Sequence, residues 1–116
     1  MRILLVVILL YPLSVSAEFS KADMQRQIAL TALWSADWLQ ARYVATHDEF
    51  YEKNKILGKY PTTGDVNRYF AAVIGMQWLV AYYLPPKPRK IFQLISISYS
   101  ANTVRRNYEL GVRFEF

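Results

Sequence analysis

Tyr69-Phe70-Ala71-Ala72-Val73-Ile74-Gly75-Met76-Gln77-Trp78-Leu79-Val80-Ala81-Tyr82-Tyr83-Leu84 is a run of sixteen residues without a formal charge, stopped by Pro85-Pro86. Apolar side chains fall all around its helical wheel, so no face of such a helix suits water alone. Thr62 with Asp65 three residues later has the pattern of a capping box, with Asp where Glu or Gln is usual, and marks the helix start. A bilayer span takes about 20 predominantly apolar residues. Counting from Val66 gives nineteen, with Asn67 and Arg68 left to snorkel at one end. The expectation is a hydrophobic helix that spans a membrane or lies against one. Ala71 and Gly75 form a small-xxx-small pair on which a second helix could approach closely. The opposing reading is that Gly75 is merely tolerated in a crowded interior.

Upstream, residues 22–46 carry a second helical signal. Leu30, Leu33, Asp37, Ala41 and Val44 recur at helical spacing, and no Gly or Pro interrupts the stretch. Ser20, with Asp23 three residues on, supplies an N-cap. The connection over residues 47–65 collects Asp48, Glu49, Glu52 and Asp65 with the punctuation Gly58, Pro61 and Gly64. A structureless connection of that length is uncommon in a small domain, so a helical turn is expected over residues 49–53 and an apolar anchor at Ile56-Leu57.

Downstream of the prolines the pattern has two readings. Leu94, Ile97, Ala101, Val104 and Tyr108 form a helical stripe, whereas Ile95, Ile97 and Tyr99 alternate with Ser96, Ser98 and Ser100 as in a half-buried strand. Length favours the helix, with Pro88 in its first turn and Gly111 past its end; a β-hairpin over residues 91–116 stays open. Residues 112–116 are then an extended tail.

The N-terminus gives an address. Met1-Arg2, an apolar run over residues 3–13 and the small residues Ser14-Val15-Ser16-Ala17 have the layout of a secretory signal. It is either cleaved after Ala17 or kept as an anchor. Residues 1–17 are thus the signal and residues 18–116 one small domain. The absence of cysteine rules out a disulfide scaffold and a thiolate zinc site. At 53% hydrophobic and 16% aromatic, the chain is too apolar for a disordered tail. The formal charge of +5 is scattered, apart from Lys87-Pro88-Arg89-Lys90 and Arg105-Arg106. Short basic clusters beside apolar runs suit lipid headgroups, and an exported chain does not meet nucleic acid.

Asp37 is the first candidate site, because a carboxylate on the apolar stripe of a helix is costly unless paired or protonated. Arg68, Arg105 or Asn67 could satisfy it, which makes Asp37, Gln40, Arg42, Asn67 and Arg68 a candidate buried polar cluster between helices. The favoured role for Asp37 is a structural pin; a working acid ranks well below it. Trp34, Trp38 and Tyr43, and again Trp78, Tyr82 and Tyr83, suit either an aromatic belt at the headgroup layer or ordinary packing. His47, Asp48, Glu49 and Glu52 invite a metal reading, but a second histidine and the HExxH spacing are missing. No G-x-S-x-G elbow marks a hydrolase. No catalytic residue, metal site or cofactor is expected.

Residues 108–116 alternate Tyr108, Leu110, Val112, Phe114 and Phe116 with Glu109, Gly111, Arg113 and Glu115. The ending is similar to the last strand of outer-membrane β-barrel proteins, but the two helical signals lack the alternation a barrel requires. A tail that pairs with a partner's sheet edge, or packs on the bundle, fits better. The pieces Asp37-Trp38-Leu39-Gln40-Ala41-Arg42-Tyr43, Glu52-Lys53-Asn54-Lys55-Ile56-Leu57-Gly58 and Val66-Asn67-Arg68-Tyr69-Phe70 resemble small uncharacterised bacterial and phage proteins. In those, a D-W-x-Q-x-R helix precedes an E-x-N-P-I-L-G loop and a hydrophobic helix. Lys55 stands here in place of the proline. The resemblance implies an architecture and no reaction. The combined expectation is a mainly α protein: a membrane-associated bundle of about three helices after an N-terminal signal, with a short extended C-terminal tail. Its expected role is a non-enzymatic accessory or interaction protein of the bacterial or phage-encoded envelope. The inner membrane comes first, with periplasm or outer membrane as alternatives, and the partners are membrane lipid, another protein or a second copy.

Overall fold

Ser20 and Asp23 start the first helix by capping one another. The Asp23 amide donates to Ser20 Oγ at 3.0 Å and the Ser20 amide donates to Asp23 Oδ2 at 2.9 Å. Two of the four amides that a helix start leaves without partners are satisfied in this way. In the computed structural model, which describes residues 19–52 and 55–116, this helix is α1, Lys21–Thr46. The signal expected over residues 1–17 lies outside the described residues. Thr62 and Asp65 repeat the reciprocal cap, both bonds at 3.1 Å, at the start of α2, Thr63–Tyr83. The third helix, α3, runs Pro86–Glu109. Its first turn has no side-chain cap, but Pro86 and Pro88 carry no N–H, so fewer amides there need one.

Among the described residues there are three helices and no strand, so the helical reading of residues 88–108 is the observed one. The Ile-Ser alternation loses to tertiary packing: Arg89, Gln93 and Ser100, at helical spacing, are the residues α3 buries. Gly111 ends α3 with φ +98°, the left-handed conformation in which glycine has no Cβ penalty. Residues 112–116 leave as an irregular extended tail that lies on α1, where the Glu115 amide donates to Leu39 O at 3.0 Å.

α1 is the central helix. Asp23 pairs with Arg89, Gln27 with Gln93, and Gln40 with Val104 and Asn107, so α3 runs parallel to α1. Trp78 reaches Thr31 and Trp38 reaches Asn67, so α2 runs antiparallel to it. The apolar core is small: Ala41, Val66 and Phe70, with Trp34, Trp38, Leu57 and Tyr69 packed around them. Trp38 stacks on the Phe70 ring (centroids 6.1 Å apart, 10° between planes) and Trp34 meets its edge at 5.9 Å. Of the two readings of these tryptophans, packing is the one observed, and Trp78 is tied inward by its bond to Thr31.

Four expectations are revised. No helix among the described residues is long and apolar enough to cross a membrane. The run over residues 66–84 therefore does not qualify as a span, because Asn67, Arg68 and Gln77 offset its aliphatic residues. Gly75 is not held in a crowded interior, and Ala71 and Gly75 meet no helix of this chain among the described residues. α2 buries Val66, Phe70, Gln77 and Ala81, which turns Ala71 and Gly75 outward, and a Cβ added at Gly75 would meet nothing within 4 Å. The helical turn expected near residue 49 is absent from its described part; bends and turns replace it, and the Glu52 amide donates to Lys59 O at 2.8 Å. Of the expected anchor Ile56-Leu57, only Leu57 packs on the core, while Ile56 is 80% exposed.

Candidate functional site

At each end of α1 an arginine ties the bundle together, Arg89 from α3 at its start and Arg42 of α1 itself at its end. Arg89 is fully buried. Its Nη1 donates to Asp23 Oδ2 at 2.8 Å, its Nε to Ala81 O at 2.6 Å and its Nη2 to Tyr82 O at 3.4 Å. The guanidinium also lies 4.7 Å from the centre of the Phe19 ring. Ala81 and Tyr82 belong to the last turn of α2, which has no basic residue of its own. Arg89 thus supplies the positive charge favoured at that helix end while neutralising the first-turn carboxylate of α1. Arg26 adds a second contact to Asp23, and Gln93 joins Arg26, Gln27 and the Asp23 carbonyl. Burial alone would raise the Asp23 pKa. The Ser20 amide, the Arg89 guanidinium and the Ser20 hydroxyl outweigh it and hold the carboxyl below the usual range.

At the other end Arg42 Nη1 and Trp38 Nε1 both donate to Asn67 Oδ1, at 2.8 and 2.9 Å, and Arg42 Nε donates to Glu115 O at 3.2 Å. Thr46 Oγ1 donates to the Glu115 carboxylate. Gln40 is buried, giving Val104 O a hydrogen bond at 3.0 Å and accepting one from Asn107 at 3.1 Å. The expected grouping of Gln40, Arg42 and Asn67 between helices is therefore present in part, as side chains that join α1 to its neighbours. Replacing Asn67 with alanine strands the two donors that share its oxygen and is expected to lower stability by about 2–3 kcal/mol. Urea unfolding followed by circular dichroism measures this; a loss under about 0.5 kcal/mol would mean that water replaces the amide.

Asp37 stands apart from that network. Arg68 pairs with Asp65 at 2.7 Å, Arg105 pairs with Glu109 at 2.9 Å, and Asn67 is taken by Trp38 and Arg42. Among the described residues no hydrogen bond or ion pair reaches the Asp37 carboxylate, so it is not the interhelical pin the sequence suggested. The pin is Asp23 with Arg89, which the sequence reading missed; the only hints were an acid in the first turn of α1 and a basic cluster after two prolines. Asp37 instead lines a cleft of about 520 Å³ bounded by α1, the loop after it, and parts of α2 and α3. Trp34, Tyr51, Tyr69, Phe70 and Tyr99 contribute rings to its walls, and Glu52 and Arg106 contribute charge. Burial pushes the Asp37 carboxyl up to about 7, and negative Glu52 adds to the shift. The indole N–H of Trp34, one turn before Asp37, is sealed from solvent without an acceptor.

No family model fits the chain, and neither curated proteins nor solved structures are significantly similar to it. Among the described residues no three His, Cys, Asp or Glu side chains gather closely enough to hold a metal ion. His47 is occupied locally, stacked on Tyr43 at 3.7 Å with Nδ1 2.8 Å from the Tyr43 carbonyl oxygen. The C-terminal residues divide: Val112 is buried, whereas Tyr108, Leu110, Phe114 and Phe116 are exposed, Phe116 to 94%. Tyr108 belongs to α3 and not to a strand, so the alternation over residues 108–116 reflects a helix end followed by a packed tail.

Proposed function

We propose that this chain is a non-enzymatic interaction protein that lies on a membrane surface with its apolar exterior set into the headgroup layer. The supporting observation is an inverted distribution of side chains. Asp23, Gln27, Gln40, Arg89 and Gln93 are shut inside, while Ile91, Leu94, Ile95 and Tyr99 form an outward stripe on α3. A helix bound for water normally turns such a stripe inward. Exposed Lys87 and Lys90 precede it and exposed Arg105 and Arg106 follow it. A helix lying in the plane of an anionic bilayer gains from both features, apolar burial along its length and basic groups at the phosphate level. Met76, Leu79 and Tyr82 add outward apolar surface on α2. The signal-like residues 1–17 support placing that membrane in the bacterial envelope.

Flotation with phosphatidylglycerol vesicles tests this reading. The protein is expected to float with them, to bind phosphatidylcholine vesicles far less, and to be released as salt screens the basic residues. Ile91→Glu with Ile95→Glu is expected to weaken binding by about tenfold or more, from the apolar burial lost, with helix content unchanged. Wild-type protein that stays in the dense fraction, monodisperse without detergent, would refute the proposal.

A further inference from the structure

The cleft beside Asp37 has the makings of a ligand site, and of its lining only Tyr99 also belongs to the outward stripe of α3. Its volume, about 520 Å³, is that of a small-molecule pocket. Two features of its lining select for one kind of guest. The first is charge: Asp37 lines this space with no hydrogen-bond or ion-pair partner among the described residues, and Glu52, from the loop, adds negative potential beside it. A carboxylate removed from water without a partner is unfavourable in the empty protein and becomes favourable when a cation arrives. The second is the wall of rings, Trp34, Tyr51, Tyr69 and Tyr99, whose faces attract an organic cation electrostatically. A divalent metal fits poorly, because it requires more oxygen ligands than two carboxylates supply. The chain's overall charge of +5 disfavours general accumulation of cations, so attraction here is local.

We propose that this cleft binds an organic ammonium group, with Asp37 as its counter-ion and the rings as its cage. The ammonium comes either from a free amine or from an ethanolamine lipid headgroup. Binding requires Asp37 to be ionised, so it strengthens as pH rises through neutrality. The titratable and charged groups facing Asp37 across the cleft are Glu52 and Tyr51 from the loop, Tyr69 from α2, and Tyr99 and Arg106 from α3. His47, the chain's one histidine, does not line it.

The test is a titration of isotope-labelled protein with ethanolamine at constant ionic strength, following the Trp34 indole resonance by NMR. A saturable shift is expected at pH 8. Affinity should fall by about tenfold or more at pH 5, and by about as much at pH 8 in Asp37→Asn. Glu109→Gln, which alters an exposed carboxylate outside the cleft, should bind like wild type. A second arm uses short-chain phosphatidylethanolamine below its micellar concentration, with short-chain phosphatidylglycerol as the control. Tighter binding of the ethanolamine lipid than of ethanolamine assigns the site to a headgroup; equal or weaker binding assigns it to a free amine. No saturable shift with either probe, or equal affinity in folded Asp37→Asn, overturns the proposal.

Discussion

An Arg89→Ala variant is expected to lose about 3–5 kcal/mol of unfolding stability, much of what a domain of this size possesses. The arginine touches all three helices at their shared end. It neutralises Asp23 in the first turn of α1, hydrogen-bonds the last carbonyls of α2, and is carried by α3. Its removal leaves a carboxylate enclosed with only Arg26 as a cation and frees two carbonyls at a helix end. Lysine should recover part of the loss, since it restores charge but cannot present the guanidinium fork to carboxylate and carbonyls together. Changing both partners, Asp23→Asn with Arg89→Met, should cost less than Arg89→Ala alone, because no unpaired buried charge remains. Urea unfolding monitored by circular dichroism ranks the three variants. A loss below about 1 kcal/mol for Arg89→Ala would mean that Ser20 and Arg26 suffice for Asp23.

Asp37→Asn should do the opposite and stabilise the protein, in a pH-dependent way. The Asp37 carboxyl titrates at about 7 in the folded chain, against 3.8 for an ordinary aspartate. Between those values the folded state holds a proton that the unfolded state has released, so wild-type stability falls as pH rises through this window. At pH 8 the whole cost is present, about 4 kcal/mol for a shift of that size, and the asparagine variant is spared it. Near pH 4 the two proteins should be about equally stable. Asp23 acts in the other direction: its lowered pKa contributes stability present above the ordinary aspartate value and lost as pH falls through the folded one. Wild-type stability should therefore be greatest on the acidic side of neutrality. Paired denaturation curves at pH 4.5 and pH 8 measure the gap; one that does not widen with pH would show that Asp37 is solvated.

The helix ends were legible in the sequence because their determinants are local. Ser20 with Asp23, Thr62 with Asp65, the Pro85-Pro86 stop and Gly111 all act within a few residues of themselves. Asp37 was legible as an anomaly for the same reason, through its place on an apolar stripe. Its surroundings were not. Arg68 and Arg105 looked available, but each is held by an acid three or four residues away on its own helix, and short loops of chain win over distant partners. The Asp23–Arg89 pair lies across 66 residues, and nothing in either neighbourhood names the other. Small-residue spacing did not say which way Gly75 faces, because α2 orients itself by Val66, Phe70, Gln77 and Ala81.

The parallel pairing of α1 with α3 has a consequence for how the chain comes into being. When α1 and α2 have left the ribosome, Asp23, Gln27 and Gln40 have none of the partners that α3 will bring. A half-made chain can form the apolar core that α1 and α2 share but not the polar interior, since contacts this distant in sequence reward the chain only once the intervening segment has been ordered. The bundle's buried polar side closes last, when the helix after Pro85 is complete.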